Sequence, residues 1–427
     1  MFAPILTTIL LVSPQGPDLA AELAHLVDLP TATERRAAAE ALAKQNLAPL
    51  DAWRAACASF GTFAALEPGP SRQKVELHVL DETVPVEVFL FVPKGYDPKT
   101  PAPLLLWGHG AGGTGAREYL QWEAVAERVG LLVLAITSVE RTPGYHFSPR
   151  ERAAALAALR WARRQANVDE NAVFVGGWSQ GGHQAWDLAL RHPDLFAGML
   201  PVVGGPRLEI GPKNNLRYLD NVVHLPIVDL QGSQDDPLLL LNVRLAFARL
   251  QKAGAKQATL REFPDLGHSA ELGVVDWPAF FARRRTPRPA RVVRVAAEPT
   301  EVRASWVELG KVHGSARPDA QPTVSASFAT LDEAGQRAQL HDRYATVTAR
   351  LQVDDKGGGK FVADGKLVAG FTLLLEPAQL GKDGACEVRW QNKPVKKTAK
   401  PDVAVLLREF AERFDRTFLP VAQVQVP

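Results

Sequence analysis

The residues best suited to chemistry in this 427-residue chain are grouped around one serine. Gly177-Trp178-Ser179-Gln180-Gly181 is a G-x-S-x-G motif that stands between a predicted strand at 172–177 and a predicted helix at 182–191. Small residues on both sides allow a sharp strand-to-helix turn, which leaves the hydroxyl exposed near the positive end of the helix. We therefore predict that Ser179 is a nucleophile; the alternative is a helix-capping serine between glycines that serve packing.

A serine hydroxyl needs a general base to become nucleophilic, and the base needs an acid that holds it in the right tautomer. His268 follows the last predicted strand of the series, at 258–263, and Asp235 follows the strand before it, at 227–232. Parallel strands end at the same edge of their sheet, so these side chains are expected to converge on Ser179. Asp235 is our first choice for the acid, and the adjacent Asp236 is the second.

Acyl transfer also needs N–H groups that stabilise a developing oxyanion. The segment WGHGAGGTG at 107–115 is rich in glycine, so its backbone can approach a ligand closely. We predict that the N–H groups of Ala111 and Gln180 form the oxyanion hole. Three titratable residues near these motifs are expected to serve structure rather than chemistry: His109, His183 and Asp229.

The same glycine-rich segment also fits a rival pattern. Gly108, Gly110 and Gly113 form a G-x-G-x-x-G after a strand, which is the dinucleotide-binding fingerprint, with Glu140 as the candidate acid for a ribose hydroxyl. Glu140 comes later than the usual offset of about 20 residues. A dinucleotide-dependent oxidoreductase would also leave the serine, aspartate and histidine without a role, so it is the weaker alternative.

Alternating strands and helices must position these residues. Two β-prone runs at 74–79 and 84–93 predict a hairpin, and short apolar runs typical of buried parallel strands follow it. We predict a fold of the α/β class with an open, mostly parallel sheet flanked by helices. The predicted strands are 104–107, 131–136, 172–177, 197–203, 227–232 and 258–263, and the predicted helices are 118–129, 151–165, 182–191 and 238–253.

The regions around this sheet differ in composition. An Ala- and Leu-rich stretch precedes it and predicts two or three helices, whereas short β-prone runs follow it and predict a sandwich-like module with one helix at 403–414. The predicted organisation is a candidate signal peptide (1–16), a helical segment (17–70), the α/β domain (71–284), a basic proline-containing linker (285–294) and a β-rich C-terminal domain (295–427).

Composition excludes several classes of protein. Hydrophobic residues make up 46% of the chain and charged residues 22%, as in folded globular proteins. A net charge of +2 is too balanced for a nucleic-acid binder, and two cysteines without a CxxC motif give neither a disulfide framework nor a thiolate metal site. The apolar stretch at 5–12 is too short to span a bilayer, so stable membrane insertion is not expected. Secretion or a periplasmic location through this stretch and a cytoplasmic location both stay open.

The HGAGG loop, the GWSQGG elbow, the acid after QGSQDDP and the GHS histidine together resemble the α/β-hydrolase superfamily over residues 74–284. RHPDLFAGMLPVVGG is similar to the polyhydroxybutyrate-depolymerase, feruloyl-esterase and carboxylesterase branch, near dienelactone hydrolases and the prolyl-oligopeptidase catalytic domain. The resemblance implies a triad of Ser179, Asp235 and His268 and an acyl-enzyme intermediate. It also implies no metal or organic cofactor, and a small-molecule or polymer ester as substrate.

Substrate choice is expected to depend on loops at the strand ends. Only 204–225 are inserted there, which predicts an open site, and no β-propeller precedes the domain, which weighs against a prolyl-oligopeptidase type of peptidase. A hydrolase fold without turnover, with a C-terminal domain that binds a glycan or protein, is a further alternative. Trp306 and Trp390 in that domain are expected in its core rather than on a sugar platform. The candidate substrate contacts are Trp178, Arg141, Tyr145 and His146.

Overall fold

The computed structural model describes residues 17–140, 143–298, 303–310 and 312–427. The predicted signal peptide (1–16) and the candidate substrate contact Arg141 therefore lie outside the described residues.

Three helices open the described chain, as the sequence predicts: α1 (Leu19–Asp28), α2 (Ala32–Lys44) and α3 (Leu50–Ala58). Thr31 and Glu34 form a reciprocal capping box that fixes the start of α2. The apolar faces of the three helices share one buried cluster with a helix from the other end of the chain, α10 (Val403–Arg413). Trp53 and Phe410 are fully buried in this cluster. The helical segment is thus packed on the C-terminal region.

An eight-stranded sheet forms the centre of the molecule, in the order β1-β2-β4-β3-β5-β6-β7-β8. β1 and β2 form the predicted hairpin, and the strands from β4 to β8 in this order pair in parallel. The predicted mostly parallel sheet of an α/β fold is confirmed. Its strands are β1 (Gly69–Val79), β2 (Glu82–Val92), β3 (Ala102–Gly108), β4 (Leu132–Ile136), β5 (Val168–Trp178), β6 (Gly198–Val202), β7 (Ile227–Gly232) and β8 (Ala258–Phe263).

Helices cover both faces of this sheet, because its central strands are apolar on both sides: every residue of β4 and β6 is buried. Two separate apolar clusters lie on the two faces. The flanking helices are α4 (Glu123–Val129), α5 (Pro149–Gln165), α6 (Gln180–Arg191), α7 (Pro237–Lys252) and α8 (Trp277–Phe281). The crossover connections bring the carboxyl ends of β3 to β8 to one edge, where the candidate site lies.

The C-terminal region contains two further sheets that share one buried core, as predicted for a sandwich-like module. Trp306 and Trp390 are 0% and 7% exposed and belong to this core, so the sugar-platform hypothesis is wrong for both. One sheet contains β9 (Arg291–Ala296), β12 (Ala349–Asp355), β13 (Lys360–Lys366), β15 (Ala385–Trp390) and β16 (Lys393–Thr398). The other contains β10 (Arg303–Ala304), β11 (Val307–Leu309), β14 (Phe371–Leu375) and β17 (Ala422–Val426).

Two features of this region differ from the sequence prediction. A helix that was not predicted, α9 (Glu333–Tyr344), packs on α7 with only Leu340 and Tyr344 buried. Residues 291–294 of the predicted linker belong to β9, where Arg294 is 1% exposed, and Arg285 before it is also largely buried. Arg285 donates to the carbonyl oxygens of Glu170 and Asp194, whereas Arg291 is 64% exposed, so only part of this basic stretch is solvated. The other domain limits stay predictions.

Candidate active site

Ser179 occupies the turn between the last residue of β5 and the first residue of α6, in a backbone conformation that side chains rarely adopt. Its φ is 55° and its ψ is −108°, and such strain persists only where the surroundings impose it. The Ser179 N–H donates to Val202 O at 2.8 Å, and the His183 N–H donates to Ser179 O at 3.1 Å. The strand β6 and the helix α6 therefore hold the serine peptide on both sides.

Glycines let other segments pack directly on this turn. A Cβ atom on Gly181 would lie 2.0 Å from the carbonyl oxygen of Gly108, and one on Gly204 would lie 2.4 Å from the carbonyl oxygen of Ser179. Both atoms belong to the backbone, so they cannot move away as the end of a flexible side chain could. The loops after β3 and β6 can reach the start of α6 only because these positions lack side chains.

Ser179, His268 and Asp235 form one chain of hydrogen bonds. His268 Nε2 lies 2.7 Å from Ser179 Oγ, and His268 Nδ1 lies 2.8 Å from Asp235 Oδ2. The imidazole is half exposed, at 51% of its side-chain surface, whereas the carboxyl of Asp235 is only 6% exposed. The convergence expected from the strand ends is present in the structure.

Asp236 has a different environment from Asp235. Its carboxylate accepts the N–H groups of Leu238 and Leu239 at 2.8 and 2.9 Å and so caps the N-terminus of α7. Its own N–H donates to Asp235 Oδ1 at 2.7 Å. Of the two carboxyl groups that the sequence left open, Asp235 is the one that contacts the histidine.

The predicted oxyanion donors lie in the two segments that meet at the turn. Gln180 is the first residue of α6, so its N–H has no acceptor within the helix. Ala111 lies in an exposed turn closed by a hydrogen bond from Gly113 N to Gly110 O at 3.0 Å. A Cβ on Gly110 would be 3.8 Å from the indole of Trp178, which places this turn beside the end of β5. The assignment of the two donors stays a prediction.

His109 fixes the loop that carries Ala111. Its Nδ1 lies 2.7 Å from Gly110 O, and its Nε2 lies 3.0 Å from the N–H of Ser138. A carbonyl can only accept, so Nδ1 carries the proton and Nε2 accepts. The neutral imidazole ties the loop after β3 to the loop after β4, which is the structural role expected from the sequence.

The backbone around Gly113 does not have the arrangement that a dinucleotide fingerprint requires. That fingerprint places the third glycine at the N-terminus of a helix that receives the pyrophosphate. Here Gly113 is followed by a single 3₁₀ turn at Gly115–Arg117, and α4 begins only at Glu123. Gly108 instead allows close packing against Gly181 of α6, and the absence of a helix start at Gly113 removes the basis of the oxidoreductase alternative.

Two of the candidate substrate contacts, Tyr145 and His146, form hydrogen bonds within the protein. The Tyr145 hydroxyl donates to Asp187 Oδ2 at 3.0 Å, and the ring is 8% exposed. The prediction that Tyr145 meets substrate is therefore corrected: it anchors its loop on α6. His146 is half-buried, and its backbone N–H donates to Glu151. Trp178 is half-buried beside Gly110, at the edge of the site, and its contact with substrate stays a prediction.

Sequence reasoning missed the buried network that receives Tyr145. Asp187, on α6, is fully buried and accepts hydrogen bonds from Arg191 at 2.9 Å and Arg152 at 3.2 Å. Burial alone would raise the pKa of this carboxyl, but Arg191 and Arg152 more than offset it and lower the pKa. The Gly144 N–H also donates to Gln180 Oε1 at 3.2 Å. No local motif marks these partners, because they come from separate elements.

Across the described parts of the chain, no group of three or more His, Cys, Asp or Glu side chains is arranged to hold a metal ion. None of the helices within the described ranges is long and apolar enough to cross a membrane.

No protein-family model and no curated protein sequence matches this chain. Solved structures do match part of it. A thermostable esterase aligns with a TM-score of 0.41 and 21% identity over 50% of this chain and 63% of its own. An acetyl xylan esterase from Aspergillus awamori aligns with a TM-score of 0.40 and 13% identity over 50% of this chain and 99% of its own. An acylaminoacyl peptidase from Pyrococcus horikoshii aligns with a TM-score of 0.39 and 14% identity over 47% of this chain and 38% of its own. The chain thus spans less than two thirds of the first and third of these proteins, and likenesses this distant carry no argument about its activity.

Proposed function

We propose that the chain is a serine hydrolase that cleaves carboxylic esters through an acyl-enzyme intermediate. The observation that carries the proposal is the chain of hydrogen bonds from Ser179 Oγ through His268 to Asp235, at 2.7 and 2.8 Å. A serine in a strained turn, a histidine within hydrogen-bond reach and a carboxylate that orients the histidine are the parts that nucleophilic acyl transfer needs.

The reaction follows from these positions. His268 takes the proton of Ser179 as Oγ attacks the ester carbonyl, and Asp235 stabilises the imidazolium that forms. The N–H groups of Ala111 and Gln180 stabilise the oxyanion. His268 then gives the proton to the departing alcohol. It next takes a proton from water as the water oxygen attacks the acyl-enzyme, and it returns this proton to Ser179 Oγ as the bond between Oγ and the acyl carbon breaks and the acid leaves.

An ester is favoured over a peptide because the site is open. His268 is half exposed, and only the short connection at 203–226 separates β6 from β7 at this edge. Such a site accepts a small ester or an ester group on a polymer without a closed pocket around it.

The test is the initial rate on p-nitrophenyl esters from acetate to decanoate, for the wild type beside Ser179→Ala. We expect the rate to fall at least ~10³-fold in the variant. Ser269→Ala is the matched control, since this exposed serine is next to His268 in sequence and should leave the rate within about threefold of wild type.

Equal rates for the wild type and Ser179→Ala would contradict the proposal. Two further probes then separate the alternatives. Labelling of Ser179 by a fluorophosphonate, with turnover of peptide p-nitroanilides only, would indicate a peptidase. No labelling at all would indicate a binding protein without an activated serine.

A further inference from the structure

A buried acid that the proposed reaction does not use lies close to the Ser179 turn. Asp229, on β7, is 0% exposed. Its Oδ2 accepts the indole N–H of Trp186 at 2.9 Å, and its Oδ1 accepts an amide N–H of Gln231 at 2.6 Å. Both donors are neutral, so the hydrogen bonds found at this carboxyl supply no compensating positive charge.

The environment of Asp229 favours its uncharged form. Burial raises the pKa of Asp229 to about 7, and the hydrogen bonds from Gln231 and Trp186 oppose this only in part. Glu262 on β8 acts in the same direction as burial. β6 carries no charged group. The charged or titratable groups on the other elements around β7 are His183, Asp187 and Arg191 on α6, Arg244, Arg249 and Lys252 on α7, and Arg261 and Glu262 on β8.

Gln231 connects this acid to the nucleophile turn. Its second amide N–H donates to Gly204 O at 2.9 Å, and its Oε1 has no hydrogen-bond partner in the described part of the chain. The amide is therefore oriented by its two N–H bonds, one to Asp229 and one to Gly204. Gly204 in turn packs on the elbow, since a Cβ there would be 2.4 Å from Ser179 O and 2.7 Å from His183 N.

We propose that Asp229 is a positioning residue that acts in its uncharged form, through Gln231 and Gly204, on the backbone that holds Ser179. A carboxylate accepts hydrogen bonds more strongly than a carboxylic acid does. Ionisation of Asp229 would thus draw the Gln231 amide away from Gly204 and loosen the contact of Gly204 with the turn. This inference rests on the proposed function, because the effect is on the attack by Ser179.

The expected signature is a loss of kcat at alkaline pH with little change in KM, since the substrate meets the exposed loops and not β7. We would measure both constants from pH 5.5 to 9 for the wild type and Asp229→Asn. The ratio of wild-type to variant kcat should fall at least ~3-fold with a midpoint near pH 7, while the ratio of KM stays constant. The ratio cancels the pH dependence that comes from the catalytic groups, because the wild type and the variant share them.

Glu262→Gln is the matched control. It removes the negative charge that acts on Asp229 but none of the hydrogen bonds of the network. Its alkaline loss of kcat should persist, with the midpoint moved to lower pH, because the ionised form of Asp229 is less disfavoured without the charge of Glu262. A midpoint that moves down, with the loss retained, is therefore the expected result.

A second measurement keeps the proposal testable if Asp229→Asn does not fold. In wild-type protein labelled with ¹⁵N-tryptophan, the indole N–H of Trp186, assigned with Trp186→Phe, should shift with a midpoint near pH 7. In Gln231→Leu this signal should still titrate, but the alkaline loss of kcat should vanish, because the connection to Gly204 is cut.

A flat kcat ratio in folded Asp229→Asn, or an unchanged alkaline loss in Gln231→Leu, would overturn the inference while leaving the proposed function intact. Absence of ester hydrolysis by the wild type would instead overturn the proposed function, and this role of Asp229 with it. The Trp186 titration would then still report whether Asp229 ionises near neutral pH.

Discussion

At the scale of single residues, the candidate site depends on a serine that is held in an unfavourable conformation. A non-glycine residue at such a φ costs on the order of 1–3 kcal/mol, which neighbouring structure must supply. Ser179 receives this support from the backbone of Val202 on one side and from the glycine contacts of Gly108 and Gly204 on the other. The hydroxyl is consequently directed by backbone packing and not by its own hydrogen bonds alone.

Adjacent aspartates allow a sharp test of the site at this scale. Asp235→Asn removes the charge that orients and stabilises His268, so kcat should fall by about 10⁴-fold, the loss typical of neutralising this acid in a Ser-His-Asp triad. Asp236→Asn keeps a side chain that caps helices as well as aspartate does, so kcat should stay within about threefold of wild type. The measurement is kcat on p-nitrophenyl acetate for the pair, and equal losses would refute the assignment of the acid to Asp235.

At the scale of elements, local sequence pattern was sufficient for several elements of the central sheet. The predicted strands at 227–232 and 258–263 have the same limits as β7 and β8, and α5 begins two residues before its predicted start. Continuous apolar runs bounded by turn residues carry that information locally. The elbow, the acid and the histidine could be placed for the same reason, since each lies within a few residues of the end of a predicted strand.

Elements that are stabilised by residues far away in the sequence were not predicted. Most residues of α9 are polar, and its burial comes from contacts with α7 and with the connection before β7. Asp332, which caps its N-terminus, was the one local signal for this helix. β16 contains three lysines and a proline, which is typical of an edge strand and differs from the apolar runs that mark buried strands.

The environment of Tyr145, in the loop after β4, was not predicted for a related reason. The aromatic and charged residues of this loop indicated a substrate contact, but the partner of Tyr145 is Asp187, 42 positions further along the chain. A buried carboxylate that is already paired with two arginines accepts this hydroxyl. Such a partner cannot be identified before the packing of α5 on α6 is known.

Tyr145→Phe distinguishes the anchoring role from substrate binding. Loss of a buried hydrogen bond to a charged group should lower the free energy of unfolding by about 1–3 kcal/mol and leave KM within about twofold of wild type. Arg150→Ala is the control from the same segment, because its ion pair with Glu82 is exposed and contributes at most about 1 kcal/mol. Urea unfolding and KM on p-nitrophenyl esters give both quantities, and a raised KM with unchanged stability would restore the substrate role.

At the scale of the whole molecule, the three predicted regions are not independent. Val295 and Leu340 from the C-terminal region belong to the same apolar cluster as one face of the central sheet. Buried ion pairs cross the same boundary. Asp194, just after α6, pairs with Arg413 of α10 and accepts the N–H of Ser305 at 3.0 Å, while Asp415 pairs with Arg285.

This boundary is expected to weaken in acid. Burial alone would raise the pKa of Asp194, but Arg413, the Ser305 N–H and Arg303 more than offset it and lower the pKa to about 2. The pKa of Asp415 is likewise lowered by Arg285 and Arg163, against the effect of burial. A carboxyl whose folded pKa lies below its unfolded value stabilises the fold above the unfolded pKa, and this contribution is lost as the pH falls through the folded pKa.

For Asp194 the window runs from about pH 4 to pH 2, and the contribution is roughly 2 kcal/mol, on the scale of 1.4 kcal/mol per pKa unit. Asp194→Asn should therefore be less stable than the wild type at pH 7, and the difference should shrink as the pH falls toward 2. Asp51→Asn, at an exposed position of α3, should follow the wild type throughout. The measurement is the free energy of urea unfolding at pH 7, 4 and 2.5. If Asp194→Asn kept a constant difference from wild type at all three pH values, the charge of Asp194 would not be what holds the two regions together, and its role would be reduced to packing.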